Sequence, residues 1–439
     1  MIAWTPKEHR SIKRLMDSLF SPKVFITTPT RDYFNNFRNL ASIISINGKQ
    51  YFLSPKTRDL YTRLTDIIIG KAEISAFFTR AEVFQQIVQS HKDILTTFPE
   101  WKSDAYIDSI LSNLRAQNKD YKFLVPIEGI KLKDIDQISI GTILITRCDK
   151  SILSEVQLEE DEEIDFIYDQ VKSEYWIIGE AHGGPERARQ IFERSTKIAV
   201  GILAIYGAAL VEGAFRCTKI NAKQTAFNNR SSAVFLRWVK DGGQLSTTRS
   251  WGDQHDFAIS RELLDDMAAN LFFNQIAALT SFKKKSELRE ALSTAILWFY
   301  DAYQDQSLTM KFIKLWTCSE CFFSSSKKGI TDDNATGISI ILAYAGYQVI
   351  SPEEYSTKKA KIKKLYDLRS KALHNADLEH ITYKNVDEFA YLISWLIITL
   401  FSLSEQGYTT LKQVKKQIDH LATIEAKASE STQQSSADK

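Results

Sequence analysis

The sequence predicts a mainly α-helical, multidomain protein with an N-terminal helical region, a middle α/β region and a C-terminal helical bundle. A chain of 439 residues is too long for one compact core and indicates two or three domains. Only 17 glycines and 8 prolines occur in this length, alongside long amphipathic runs that are typical of helices. Segments rich in β-branched residues are concentrated between about residues 121 and 285.

Residues 1–120 are predicted to be helical because their apolar side chains recur at helical spacing. The recurring positions include Ile12, Leu15, Leu19, Leu60, Leu64, Ile67, Val83, Ile87, Ile107, Ile110, Leu111 and Leu114. The run 34–46 predicts another helix, followed by a strand pair around Asn47-Gly48, a dipeptide that favours hairpin turns. No catalytic constellation stands out in this region.

Residues 121–285 predict the α/β region. Strands are expected at 123–127, 138–146 and 175–181, and a hairpin is expected around 235–243. Pro185 is expected to open a helix of about thirty residues, since proline is well tolerated at a first helical position. This region contains no recognisable phosphate loop and is a candidate for sensing or regulation.

Residues 286–425 predict a second helical region, and residues 426–439 a disordered tail. The expected helices cover 286–303, 308–323, 338–347, 352–373, 385–404 and 408–426. After that the chain is rich in serine, glutamine and glutamate, a composition that cannot bury enough apolar surface to fold.

Charge and cysteine content predict a cytoplasmic protein without a membrane span. The net charge of +2 gives no global signal for nucleic acid, so a binding surface must come from local segregation of charge. Four cysteines are too few to staple a secreted fold, and the N-terminus lacks a signal-peptide hydrophobic core. The apolar runs 198–211 and 389–403 are shorter than the roughly 20 residues that span a bilayer.

Arg369 and His374 form the most informative pair in the chain. Arginine is a permanent cation that suits phosphate, and histidine can move protons near neutral pH. The helix that carries them is strongly basic, with only Asp367 opposing Lys358, Lys359, Lys361, Lys363, Lys364, Arg369 and Lys371. A one-signed surface of this kind suits a polyanion, although such runs are also common on solvated helix faces.

Helix geometry limits how this pair could act together. Residues five apart lie about 140° around an ideal helix and about 7.5 Å along it. Arg369 and His374 could converge if the helix ends at His374, with Asn375 as a left-handed cap. They could also converge if a second copy of the chain supplied the other half of the site.

The C-terminal portion resembles the HEPN ribonuclease superfamily, in its Apea-like branch from bacterial defence and toxin proteins. The resemblance lies in the segments 295–300 (AILWFY), 311–320 (KFIKLWTCSE) and 365–374, which carries the R-x4-H spacing. It covers residues 286–425, about a third of the chain, and predicts a HEPN-like bundle there. A looser likeness extends over residues 123–216. Ser370 stands where many relatives carry Asn, Asp or His, and Asn375 stands where Gly is frequent.

This resemblance implies metal-independent RNA cleavage at a homodimer interface, with no cofactor and no metal. Arg369 would hold the scissile phosphate, His374 would shuttle protons, and Glu320 would orient Arg369 or support the site. The RNA's own 2′-hydroxyl would be the attacking group. The expected RNA-binding residues are Lys371, Ser370, Lys364, Lys363 and Asn375. The family also implies an antiphage defence or toxin role that answers a phage-derived or cellular trigger.

Other interpretations remain open at this point. Arg369, Glu320 and His374 could instead form a buried polar network between helices, in a non-catalytic dimerising protein that binds a nucleotide, RNA or a protein partner. The lysine-rich helix could bind DNA, with steep salt dependence. Cys318 and Cys321 resemble half a zinc site, but no second pair lies at ligand spacing, which favours two packed helical cysteines.

Overall fold

The computed structural model describes residues 4–20, 25–26, 43–46, 49–53, 55–97, 103–155, 161–222, 233–237, 246–250, 255–281, 285–323, 330–375 and 380–437. These residues are mostly helical with a small sheet, which confirms the mainly α fold class. The chain divides into two compact units. Unit 1 contains Met1–Phe123 and Glu180–Phe192, and unit 2 contains Leu124–Gly179 and Glu193–Lys439. A predicted boundary at residue 120 lies near the first division, whereas the one at 285 falls inside unit 2 and stays a prediction.

Unit 1 begins with helices and a small antiparallel sheet. Its elements are α1 (Pro6–Leu19), β1 (Phe25–Ile26), β2 (Ile43–Ile46), β3 (Lys49–Leu53), α2 (Pro55–Ile69), α3 (Ala72–Ser75), α4 (Arg80–Thr97) and α5 (Ser103–Gln117). A capping box formed by Thr5 and Glu8 starts α1. The predicted apolar positions fill one core, in which Leu64, Ile87 and Ile110 are fully buried.

The strand pair predicted around Asn47-Gly48 is confirmed, and the helix predicted over 34–46 is wrong at its end. Residues 43–46 form β2 and pair antiparallel with β3, which also pairs with β1. Three of these four residues are isoleucines, whose branched side chains favour a pleated strand over a helix. Residues 34–42 lie outside the described part of the chain.

A buried polar cluster sits inside unit 1. The hydroxyl of Tyr61 and Nδ1 of His91 lie 2.5 Å apart, and Tyr106 donates a 2.6 Å hydrogen bond to the carbonyl of Ile87. Phe20 meets the imidazole edge-on. His91 is fully buried, and burial lowers its pKa to about 4, so the imidazole is neutral at pH 7. Burial also raises the pKa of Tyr61, so its hydroxyl stays protonated beside Nδ1.

The α/β part of the chain follows. Its elements are β4 (Lys119–Glu128), β5 (Ile130–Leu132), β6 (Gln137–Ile140), β7 (Ile143–Arg147), α6 (Asp161–Val171), β8 (Tyr175–Gly183), α7 (Pro185–Leu210), α8 (Ala214–Cys217), β9 (Asn221–Ala222), β10 (Ala233–Arg237), β11 (Ser246–Ser250), β12 (Phe257–Ile259), α9 (Arg261–Asn270) and α10 (Phe273–Ala277). Strands β6, β7, β8, β4 and β9 form one sheet in that order. The expected strands and the β10–β11 hairpin are confirmed, as is the helix that opens at Pro185.

Glu82 accepts hydrogen bonds from the N-terminal ends of two helices, and both of these ends lie in unit 1. Its Oε2 accepts hydrogen bonds from the backbone N–H and the hydroxyl of Thr79, at 2.7 and 2.9 Å, at the start of α4. Its Oε1 accepts a 2.8 Å bond from the backbone N–H of Glu186, in the first turn of α7. A carboxylate is favoured at both positions because helix N-termini expose unpaired N–H groups. Gly184 provides the space, since an added Cβ there would lie 2.5 Å from Glu82 Oε1.

The C-terminal helices form the core of unit 2. They are α11 (Glu287–Gln304), α12 (Leu308–Phe323), α13 (Ile330–Tyr344), α14 (Tyr355–Asn375), α15 (Tyr383–Glu405) and α16 (Leu411–Ala437). Gly201 of α7 lets that helix approach α11, where an added Cβ would lie 2.9 Å from Ile296. By length and composition α15 could cross a membrane, but 72% of its apolar window is buried within the protein.

The predicted disordered tail differs from the structure, in which α16 continues to Ala437. Alanine, glutamate, glutamine and lysine are good helix formers, and they are frequent after residue 420. Extending an existing helix is also far easier than nucleating a new one. The composition of this segment is therefore compatible with a helix that has already been started by the packed residues before it.

Candidate functional site

Helix α14 positions the predicted arginine. One side of the helix is buried, and its apolar residues fall on that side because they follow helical spacing. They are Ile362, Leu365, Tyr366 and Ala372. This side packs against α12 and α13. Arg369 lies three residues after Tyr366, at the margin between the buried stripe and solvent.

Arg369 pairs with the predicted acidic partner across the helix interface. Its Nη2 lies 2.9 Å from Oε1 of Glu320, which α12 contributes. Its Nη1 lies 3.4 Å from the hydroxyl of Tyr366, and the guanidinium carbon lies 5.3 Å from the centre of that ring. The structure therefore brings together Arg369 and Glu320, two of the three residues that the sequence predicted to act as one site.

An aromatic stack fixes the ring beneath the guanidinium. Trp316 meets Tyr366 edge-on with ring centres 5.0 Å apart, and it lies against Phe389 at 4.2 Å. Phe312 completes the stack. These rings belong to α12, α14 and α15, so Tyr366 cannot turn away from Arg369 without disturbing the core of the bundle.

Partial burial leaves hydrogen-bonding capacity on Arg369. The side chains of Arg369 and Glu320 are 17% and 21% exposed. Loss of hydration raises the pKa of Glu320, and the opposing charge of Arg369 only partly offsets that effect. Among the described residues, Nε of Arg369 has no hydrogen-bond partner. A buried, unmatched N–H donor is costly, and because Nε itself is out of contact with solvent, an incoming oxyanion would meet the exposed part of the side chain instead.

His374 and Asn375 are described only as backbone, and their side chains lie outside the described residues. Because α14 continues through Asn375, the helix does not end at His374, and that route to convergence is wrong. Arg369 and His374 are separated by five regular helical steps, about 140° around the axis. The route that remains from the sequence analysis is a His374 supplied by a second copy of the chain.

The lysines of α14 divide into two groups. Lys363 forms an ion pair with Asp332 of α13, and Lys361 lies 2.6 Å from Glu388 of α15. By contrast, Lys364 and Lys371 are exposed, and Ser370 is half-buried. Lys363 would have to break its ion pair to meet a polyanion, whereas Lys364 and Lys371 form no ion pair with another described residue.

Sequence reasoning missed Tyr366, which holds Arg369 through its ring and hydroxyl. The spacing in the sequence could have indicated this contact, because Tyr366 and Arg369 are three residues apart and such side chains are neighbours on a helix. It also missed the buried pair of Ser319 and Asn334, whose Oγ and Oδ1 lie 2.9 Å apart and join α12 to α13 beside Glu320. Nothing in the sequence distinguishes this pair from ordinary polar residues.

The two helical cysteines are packed thiols. Cys318 is fully buried and donates to the carbonyl oxygens of Ala295 and Lys314, while Cys321 donates to Thr317. Burial raises the pKa of both thiols, to about 11 for Cys321. Within the described ranges, no three histidine, cysteine or acidic side chains come together in an arrangement suited to a metal ion.

Comparison with known proteins adds no family to this geometry. No protein-family model matches the sequence. Neither a curated protein nor a solved structure matches it. The function is therefore argued from the pair of Arg369 and Glu320, which α14 and α12 bring together.

Proposed function

We propose that the protein is a metal-independent endoribonuclease of HEPN type that cuts RNA at a homodimer interface. Arg369 binds the scissile phosphate, Glu320 orients Arg369, and His374 moves the proton of the attacking 2′-hydroxyl. The proposed setting is the cytoplasm, where the protein acts as an antiphage defence or toxin effector once a phage-derived or cellular trigger releases it. Residues 1–285 are the proposed sensing or restraining part.

The observation that carries this proposal is the state of Arg369. Its guanidinium is held on two sides, by Glu320 at 2.9 Å and by the ring of Tyr366 at 5.3 Å, while 17% of the side chain stays exposed. A cation that is fixed in advance and still partly exposed stabilises charge that develops on a phosphate, because little reorganisation is needed. Lys364 and Lys371 on the same helix favour the approach of a polyanion.

A cleavage assay tests the proposal. Total tRNA and a labelled single-stranded RNA are incubated in EDTA with wild type, Arg369→Ala, His374→Ala and a matched control, Lys314→Met. Lys314 lies on α12, the helix of Glu320, and forms a comparably buried ion pair, 2.6 Å from Asp305. We expect wild type and the control to cleave, leaving cyclic phosphate ends, and both site variants to lose cleavage. DNA of the same sequence should resist, since it lacks the 2′-hydroxyl.

Equal cleavage by all four proteins would contradict the proposal and place the activity elsewhere. Absence of cleavage by wild type, with RNA binding retained, would leave two explanations: a latent enzyme that awaits its trigger, or the alternative of a non-catalytic dimerising protein that binds RNA, a nucleotide or a protein partner. One observation favours that alternative: an arginine paired with a carboxylate between two helices can serve to hold the helices together. Expression toxicity separates the two, because His374→Ala abolishes it only if cleavage is the cause.

A further inference from the structure

A cavity in unit 2 lies at the start of α11, among residues to which the proposed nuclease site assigns no role. Its volume is about 540 Å³, and it is partly open to solvent. The side chains that the argument uses are Ser281, Lys285, Ser286, Arg289, Ser404 and Thr409. None of the described lining residues is acidic, while two are cationic and five carry hydroxyl groups. This lining suits an anion that accepts several hydrogen bonds.

The two cations of the cavity are not equivalent. Arg289 is already paired, with Nη2 lying 2.5 Å from Oε1 of Glu405 and Nε donating to Ser404. Lys285 has no carboxylate within ion-pair distance among the described residues. Its ammonium group donates to the carbonyl of Leu279 at 2.8 Å and to the hydroxyl of Ser293 at 3.1 Å. Two of its three donors are therefore used, and one is left for a ligand.

The surroundings of Lys285 disfavour an isolated charge. Loss of hydration lowers its pKa, the nearby Glu290 partly opposes that shift, and Arg194 lowers the pKa by a smaller amount. A half-buried ammonium group without a counter-ion is costly, and an anion would remove that cost. The hydroxyls of Ser286 and Ser404 line the same cavity, and each accepts a hydrogen bond from Arg289, so its own O–H can donate to such an anion.

We propose that this cavity binds a phosphate group, either as free orthophosphate or as the phosphorylated end of a small metabolite, with Lys285 as its cationic anchor. The volume exceeds what orthophosphate needs and lies within the range of small-molecule sites. The site requires no RNA cleavage, so its test can fail or succeed independently of the proposed nuclease.

Calorimetric titration of the full chain at low ionic strength tests this proposal, since salt screens the attraction. The probes are orthophosphate and ribose 5-phosphate. Tighter binding of ribose 5-phosphate identifies a phosphorylated small molecule as the ligand, and equal binding identifies free phosphate. Lys285→Met should weaken either by about tenfold or more, since a hydrogen bond to a charged group is lost. Lys416→Met, at an exposed lysine of α16, should bind like wild type.

A second measurement needs no substitution. Limited acetylation of wild type, read by mass spectrometry, should modify Lys285, and ribose 5-phosphate or orthophosphate should protect Lys285 but not Lys416. The proposal is overturned if wild type binds neither probe at millimolar concentration. It is also overturned if Lys285→Met folds and binds as tightly as wild type, or if the ligand leaves acetylation of Lys285 unchanged.

Discussion

The His91 cluster of unit 1 and the Arg369 site of unit 2 each join an ionisable side chain to a tyrosine among packed helices. His91 is fully buried, its pKa falls to about 4, and Tyr61 holds it at 2.5 Å. Arg369 keeps 17% of its side chain exposed and remains charged beside Glu320. The first arrangement suppresses a charge and the second retains one near solvent.

This difference separates a structural polar group from a candidate functional one. Both centres leave a ring or guanidinium nitrogen without a described partner, His91 Nε2 in one and Arg369 Nε in the other. Both nitrogens are themselves buried, but His91 has no exposed part, whereas 17% of the Arg369 side chain is exposed and can be reached by a ligand. Accessibility, together with charge, is therefore the property that distinguishes them, and substitutions at each centre should affect different observables.

The largest effect is expected from Arg369→Lys. Lysine keeps the positive charge but loses the planar guanidinium that contacts Glu320 and Tyr366 and that we propose to bind the scissile phosphate. We expect RNA cleavage to fall about 10²- to 10³-fold, the cost of removing one donor to a developing oxyanion. Single-turnover cleavage rates measure this change. A rate within threefold of wild type would mean that charge alone suffices and that the pre-set geometry has no role.

Acid should destabilise unit 1 through His91. The pKa of His91 is near 4 when folded and 6.5 ordinarily, so the unfolded state binds more protons as pH falls below about 6.5. The lost stability reaches about 3 kcal/mol near pH 4. Hydrogen exchange of α4 amides in the full chain measures it. His91→Gln should lack this part of the pH slope, and identical slopes in the two proteins would contradict the assignment.

An intermediate effect is expected from Glu320→Gln. Losing the ion pair should lower the cleavage rate about tenfold, the worth of one hydrogen bond to a charged group. Because the pKa of Glu320 is raised, wild type loses the same ion pair as pH falls through that pKa. The rates of wild type and variant should therefore converge in acid. A constant ratio across the pH range would show that the Glu320 charge does not act on Arg369.

The smallest effect is expected from Tyr366→Phe. The hydroxyl lies 3.4 Å from Arg369 Nη1, which is long for a hydrogen bond, and the ring contacts survive the change. Cleavage should fall by no more than about threefold. Tyr366→Ala, which also removes the ring beneath the guanidinium, should cost considerably more. Equal rates for the two variants would indicate that the ring does not position Arg369.

Much of the helical framework could be predicted from sequence because its apolar residues repeat at helical spacing. Residues 308–323 were predicted as a helix, and α12 has those bounds. Arg369 and Glu320 were expected to meet through the family resemblance, and they do, 2.9 Å apart. Periodicity failed at residues 43–46, where the side chains suit a strand and the pairing partner lies on the other side of a turn.

The rest depended on contacts that a linear pattern does not contain. Lys363 looks like any other lysine of the basic helix until Asp332 is brought beside it from α13. The polar cluster around His91 joins α2, α4 and α5, and its hydrogen bonds link residues that are 30 and 19 positions apart in the chain. The compact units likewise cross the predicted regions, since residues 180–192 belong with the N-terminal helices.

Glu82 has a consequence for how unit 1 opens. One carboxylate closes the first turns of α4 and α7, although more than a hundred residues of chain separate it from Glu186. If either helix start frays, Glu82 loses the hydrogen bonds to that helix, and the buried carboxylate is left partly unpaired. The fold around Glu82 is then less stable, so the other helix start opens more easily. The two helix starts should therefore be lost together as one cooperative opening unit, with matching amide exchange rates, and Glu82→Ala should uncouple them.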